Sequence, residues 1–189
     1  MINLRIYIWY KLLNSLFFGL SVGSIFIIYT PLKPSVYSLG GVFLAISMFV
    51  VAKYYEKMIN IKIFFQITLF VETIMIILIL WFLYFSYSYM TALFVYISYQ
   101  FTFAFGNYLV RAETIFLYRS KLLSLLDMAK QKGYLIGLLA SYIFYKSLEF
   151  INITDKQTQV YYIHILLLFL QIIVITLIIK SFKFSFNKK

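Results

Sequence analysis

The chain has no cysteine, one histidine, two prolines and six acidic residues among its 189 positions, and each scarcity removes a class of chemistry. Without cysteine there is no disulfide framework, thiolate metal site, iron–sulfur cluster or cysteine nucleophile. His164 has no second histidine or cysteine with which to share a metal ion, so neither a metal nor any other cofactor is expected. The zinc motif H-E-x-x-H fails at once, because His164 is followed by Ile165 and Leu166. Asp127 and Asp155 are the only aspartates, too few for the aspartate-cluster metal chemistry of phosphoalcohol or polyprenyl transferases. Ser120 and Ser124 lack the flanking glycines of a serine nucleophile, and no glycine-rich phosphate loop is present. The chain is therefore not expected to be an enzyme. Seven glycines and two prolines without a repeat also exclude fibrous and low-complexity classes.

What the sequence does have is apolar length. It is 63% hydrophobic and 12% charged, far outside the range of a soluble domain. A helix rises 1.5 Å per residue, so a hydrocarbon core of roughly 30 Å takes about 20 apolar residues. On that ruler one all-α domain over 1–189 holds six transmembrane helices, at about 12–30, 35–52, 63–85, 89–110, 133–150 and 160–179. Pro31-Leu32-Lys33-Pro34 marks a tight first hairpin. Fourteen of the seventeen basic residues fall on one side of this layout: Arg5 and Lys11, then Lys53, Lys57 and Lys62, then Arg111, Arg119, Lys121, Lys130 and Lys132, then Lys180, Lys183, Lys188 and Lys189. Only Lys33, Lys146 and Lys156 fall on the other. Lys and Arg are retained on the cytoplasmic side, so both ends are expected there, in a cytoplasmic (inner) membrane. The net charge of +11 then marks topology rather than nucleic-acid binding. The first span has no A-x-A-like site and is expected to remain as an anchor. The connection from Arg111 to Lys132 suits either an interfacial amphipathic helix or a continuation of the fourth helix.

Several side chains inside the spans invite a role. Ser15, Gly19 and Gly23, and likewise Gly133, Gly137 and Ser141, repeat every four residues and make small-residue packing faces, for this chain's own helices or for a second subunit. Glu72 is the tenth residue of its span, near the midplane, where an unpaired charge is costly. It is a candidate for carrying a proton or cation, or else for a bond to a neighbouring helix, with Thr68 one turn away as a partner. Tyr96, Gln100 and Asn107 form a polar stripe leading to Arg111. Asn14 and Ser21, and His164 and Gln171, add polar pairs seven residues apart. Tyr96, Gln100, Asn107 and Asn14 are the candidates for lining a substrate cavity; the same amides serve equally as interhelical hydrogen bonds.

Six spans, short outer hairpins, a basic connection after the second span and a long one after the fourth resemble one half of a major facilitator superfamily transporter. In the segment matching that family's cytoplasmic loop motif, Ala52 to Lys62, Glu56 and Lys57 fall on its acidic and basic positions and Lys62 adds a basic match, whereas the motif's glycines are replaced. Arg111, Gly133 and Gly137 also fall where relatives carry Arg and Gly. The resemblance implies two inverted three-helix repeats, a cavity lined by the first and fourth helices, and a peripheral third helix that leaves Glu72 as a packing or lipid-facing group. It implies transport of a small molecule and, since two bundles must rock, a homodimer or a second six-helix protein as partner. Ser15-x-x-x-Gly19-x-x-x-Gly23 is also similar to the scaffold-docking helix of vitamin-binding components of energy-coupling-factor systems. A structural or assembly subunit of a membrane complex is the alternative from another class.

Overall fold

The computed structural model describes residues 2–182, so Lys183, Lys188 and Lys189 of the basic tail lie outside the described residues. The described chain is all-α: α1 (Leu4–Ile28), α2 (Pro34–Lys53), α3 (Tyr55–Met58), α4 (Ile61–Phe85), α5 (Tyr89–Ala104), α6 (Gly106–Phe116), α7 (Ser120–Phe150) and α8 (Lys156–Ser181). Four of these helices, α1, α4, α5 and α8, start at a polar side chain that caps them. Asn60 accepts from the Lys62 amide at 2.8 Å, Ser88 from Thr91 at 3.0 Å, and Asp155 from Thr158 at 2.8 Å. Pro34 opens α2, where its missing N–H costs nothing. The turns after α4 and α7 use Ser86 and Asn152 at φ 40° and 64°, and short polar side chains tolerate that left-handed region best.

Four helices, α1, α2, α4 and α8, are long and apolar enough to cross a bilayer, which marks a membrane protein. The other two expected spans take a different form. The helix from Tyr89 stops at Ala104 after 16 residues and restarts at Gly106 as α6. The fifth expected span is the second half of a 31-residue helix whose first half carries Lys121, Asp127, Lys130 and Lys132. The connection from Arg111 to Lys132 is therefore neither a separate interfacial helix nor a plain extension of the fourth. It is divided between α6 and α7 at a turn where Leu117 sinks its side chain into the core.

The packing follows from which helices have faces small or polar enough to meet. Helix α1 is central, packed on α7 and α8; α4 packs on α8 and α5, and α2 leans mainly on α5. On α7, Gly133 meets Leu12 and Gly137 meets Gly19 of α1 so closely that a Cβ at Gly133 would run into the Leu12 carbonyl oxygen, and one at Gly137 into that of Leu16. Helix α2 buries no residue at all, and its Phe49 is 73% exposed. Two apolar clusters fill the bundle. One holds Phe17, Leu20, Ile79, Phe82, Val95 and Ile163 near the α1–α2 and α4–α5 turns. The other holds Tyr7, Phe64, Tyr108, Leu126 and Ile178 near the opposite end. There the chain's two described ends meet, Asn3 N–H donating to the Ser181 carbonyl at 2.7 Å.

Candidate functional site

The stripe Tyr7, Tyr10, Lys11 and Asn14 runs along one face of α1, at helical spacings of three and four residues. It organises two buried carboxylates. Glu72, 2% exposed on α4, accepts from the Tyr10 hydroxyl at 2.7 Å and the Asn14 amide at 2.8 Å on one oxygen. Its other oxygen accepts from the Gln171 amide at 2.8 Å, and the same amide reaches the Glu72 carbonyl at 3.0 Å. Every partner is a neutral donor, so α1, α4 and α8 are tied together through one carboxylate. Glu72 thus faces the bundle interior and not lipid. Thr68 lies on the same buried face but gives its hydroxyl to the Phe64 carbonyl at 2.7 Å. This is the back-bond that threonine makes within a helix, and it leaves Glu72 to the donors of α1 and α8.

Glu113, on α6, is the second carboxylate. It accepts from Tyr7 at 2.8 Å and forms ion pairs with Lys11 at 2.9 Å and Lys130 at 2.7 Å, Lys130 also reaching Asp127 at 3.2 Å. The Lys11 ammonium lies 5.4 and 5.5 Å from the Tyr7 and Tyr10 ring centroids, so the aromatic faces share in its compensation. A continuous polar column therefore links Glu113 through Tyr7, Lys11 and Tyr10 to Glu72.

Burial by itself would push the Glu113 carboxyl up, but Lys11 and Lys130 outweigh it and hold it down from 4.5 to about 2. Burial likewise works against the Lys130 ammonium, and Glu113 outweighs it and raises Lys130. A folded value below the unfolded one means stability that is fully present above pH 4.5 and lost as pH falls toward 2. The shift corresponds to ~3 kcal/mol at neutral pH. Wild type should accordingly be more stable than Glu113→Gln by that order at pH 7, and the gap should close on acidification. Thermal unfolding followed by intrinsic fluorescence measures both, and a gap that does not change with pH would disprove the ionic role.

The four cavity candidates do not line one space. Asn14 is turned to Glu72. Tyr96 donates to the Tyr37 carbonyl at 3.0 Å, and a Cβ at Gly40 would strike its ring. Tyr96 and Gln100 border a recess of 300 Å³ between α2 and α5, and the Gln100 side-chain oxygen is buried without a hydrogen-bond partner among the described residues. Asn107 and Arg111 border a different recess, of 420 Å³, with Tyr55, Val110 and Thr114. The break at Phe105 separates the stripe into these two parts. Glu56 and Lys57 are exposed on α3, Lys57 6.0 Å from the Tyr54 ring centroid.

Of the small residues, Gly19, Gly133 and Gly137 are spent on the α1–α7 crossing, Ser141 is buried, and Gly23 lies 3.5 Å from the Tyr145 ring, measured from where its Cβ would be. Ser15 is half-buried on α1. His164 stacks on Phe82 with ring centroids 4.1 Å apart, and its Nδ1 is 2.7 Å from the Val160 carbonyl oxygen. Ser21 bonds its own helix at the Phe18 carbonyl.

Sequence reasoning missed Tyr7, Tyr10 and Glu113. The available signal was a run of tyrosine, lysine and asparagine at helical spacing in an apolar segment, together with a rare acid inside a basic connection. Compared with protein-family models, curated proteins and solved structures, the chain matches none of them.

Proposed function

We propose that the chain is a six-span protein of the cytoplasmic membrane, both ends cytoplasmic, which works as one half of a major-facilitator-like transporter of a small molecule. A second copy, or a second six-helix protein, completes it. One observation carries this reading: the five most extensive helix pairings map onto one another, the slight α7–α8 contact alone standing outside, when the first, second and third long helices (α1, α2, α4) are exchanged for the fourth, fifth and sixth (α5, α7, α8). The pair α1–α7 becomes α5–α2, α1–α8 becomes α5–α4, and α4–α8 returns itself. Three long helices per unit reverse the direction of the second unit, which is the relation between inverted repeats. The gathering of both described ends, Glu113, Lys11 and Lys130 at one end of the bundle supports a common cytoplasmic side. Against the vitamin-binding alternative, the Gly19 face of α1 is already filled by α7 and is not free to dock a scaffold.

The test uses the untagged full chain in nanodiscs. Native mass spectrometry should find a homodimer or a stoichiometric complex with one other six-helix protein; a lone monomer overturns the half-transporter. Because the chain has no cysteine, single-cysteine variants report sidedness directly. Lys33→Cys and Lys156→Cys should react with an impermeant maleimide on intact cells, and Arg119→Cys only after permeabilisation. Labelling of Arg119→Cys on intact cells would reduce the count to the four most apolar helices.

A further inference from the structure

We propose that the recess beside α6 is a binding site for a phosphate group. It has a volume of 420 Å³ and is bordered by Tyr55, Asn107, Val110, Arg111 and Thr114. Asn107, Arg111 and Thr114 follow one another at four and three residues along α6, so they share one face of that helix. Tyr55 closes the recess from α3. Its ring packs on Tyr108 at 6.0 Å between centroids, and the Tyr108 hydroxyl donates to the Met58 carbonyl at 2.7 Å, which holds the two walls in register.

The chemistry of the lining is one-sided. Arg111, Asn107 and Tyr55 are residues that carry donors, and among the described residues no carboxylate borders the recess. Arg111 makes no ion pair among the described residues. The acid closest to it along α6, Glu113, lies two residues on, is turned into the bundle and is already held by Lys11 and Lys130. The Thr114 hydroxyl is committed to the Val110 carbonyl at 2.9 Å and contributes shape only. A planar guanidinium beside an amide and a phenol suits a ligand with several acceptor oxygens and negative charge, and Arg binds phosphate through two parallel N–H bonds. Val110, 61% exposed, adds an apolar lip on which an acyl chain could rest. The phosphate is that of an anionic phospholipid head group or of a small soluble phosphate. The site stands whether the protein is a monomer or a dimer.

The full chain in phosphatidylcholine nanodiscs, with and without a minor fraction of phosphatidylglycerol, provides the test. Native mass spectrometry counts retained phosphatidylglycerol, and calorimetric titration of inorganic phosphate into the neutral discs gives the second arm. At least one arm should show binding, with Arg111→Gln weakening it by about tenfold or more and Asn107→Ala by severalfold. Arg119→Gln, an exposed arginine away from the recess, should leave it unchanged. Retained lipid without binding of inorganic phosphate assigns the head group; the reverse assigns a soluble phosphate. Absence of binding in both arms overturns the site, as does wild-type binding by Arg111→Gln. An equal loss in Arg119→Gln also overturns it, by revealing diffuse surface charge. Arg111 is exposed and makes no ion pair among the described residues, so Arg111→Gln should keep the wild-type unfolding midpoint, which separates loss of binding from loss of fold.

Discussion

Glu72→Leu is expected to destabilise the bundle by on the order of 4 kcal/mol, because leucine removes the carboxylate to which Tyr10, Asn14 and Gln171 all donate. Tyr10 and Asn14 would be left without the acceptor they now reach at 2.7 and 2.8 Å, and Gln171 would keep only its bond to the backbone carbonyl of residue 72 at 3.0 Å. A buried donor without a partner costs about 1–3 kcal/mol, and here the penalties fall on two donors of α1 while the tie to α8 is weakened. Glu72→Gln retains one acceptor oxygen and should cost less than half as much. Tyr10→Phe gives the decisive comparison, since in the Glu72→Leu background it removes an orphan and should cost much less than in wild type. Unfolding midpoints of the four proteins provide the cycle. Additive effects of the two substitutions would show that the carboxylate does not organise the column.

A larger side chain at the crossing of α1 and α7 should do still more damage. Gly133→Val is expected to cost 4 kcal/mol or more, on the order of the worst core substitutions. Its Cβ would enter the Leu12 carbonyl, which belongs to the backbone of the facing helix and cannot rotate away. Gly41, where a Cβ would meet nothing within 4 Å, is the matched control. Gly41→Ala should be neutral or stabilising by under about 1 kcal/mol, because alanine is the better helix former. The yield and elution profile of detergent-extracted protein decide between them. A well-folded Gly133→Val would mean that the two helices can separate without loss of the fold.

The two carboxylates divide the work along the α1 column by the partners they have. Glu113 balances charge with two lysines near the end of the bundle, whereas Glu72 has only dipoles deep inside it. Burying a carboxylate without a paired cation is the more expensive arrangement. Saturating its oxygens with donors is how the fold offsets that cost. This makes Glu72 the tie among α1, α4 and α8, and it explains why a residue expected at the periphery of a transporter half lies at the meeting point of three helices.

Much of this architecture was legible in the residues. Apolar length set the helices, Pro31 and Pro34 the first hairpin, and the small-residue repeats announced close helix contact, since each depends only on what stands within a few positions along the chain. The sequence even put Glu72 at mid-span and Gln171 on a polar position of the last helix. It could not pair them, because their 99-residue separation is closed only by the packing of α4 on α8. Nor could it place Asn14 against Glu72 instead of beside Gln100, or see that the stripe of Tyr96, Gln100, Asn107 and Arg111 is broken at Phe105. Periodicity gives the face of one helix and is silent about which helix stands opposite. By itself, then, the sequence determined an all-α, strongly apolar membrane chain with its basic residues gathered at particular connections. The tertiary structure alone decided that Tyr7, Tyr10, Lys11 and Asn14 join two carboxylates into one column, because partner choice among helices of similar hydrophobicity is settled by close backbone approach at Gly19, Gly133 and Gly137 and by the geometry of buried donors.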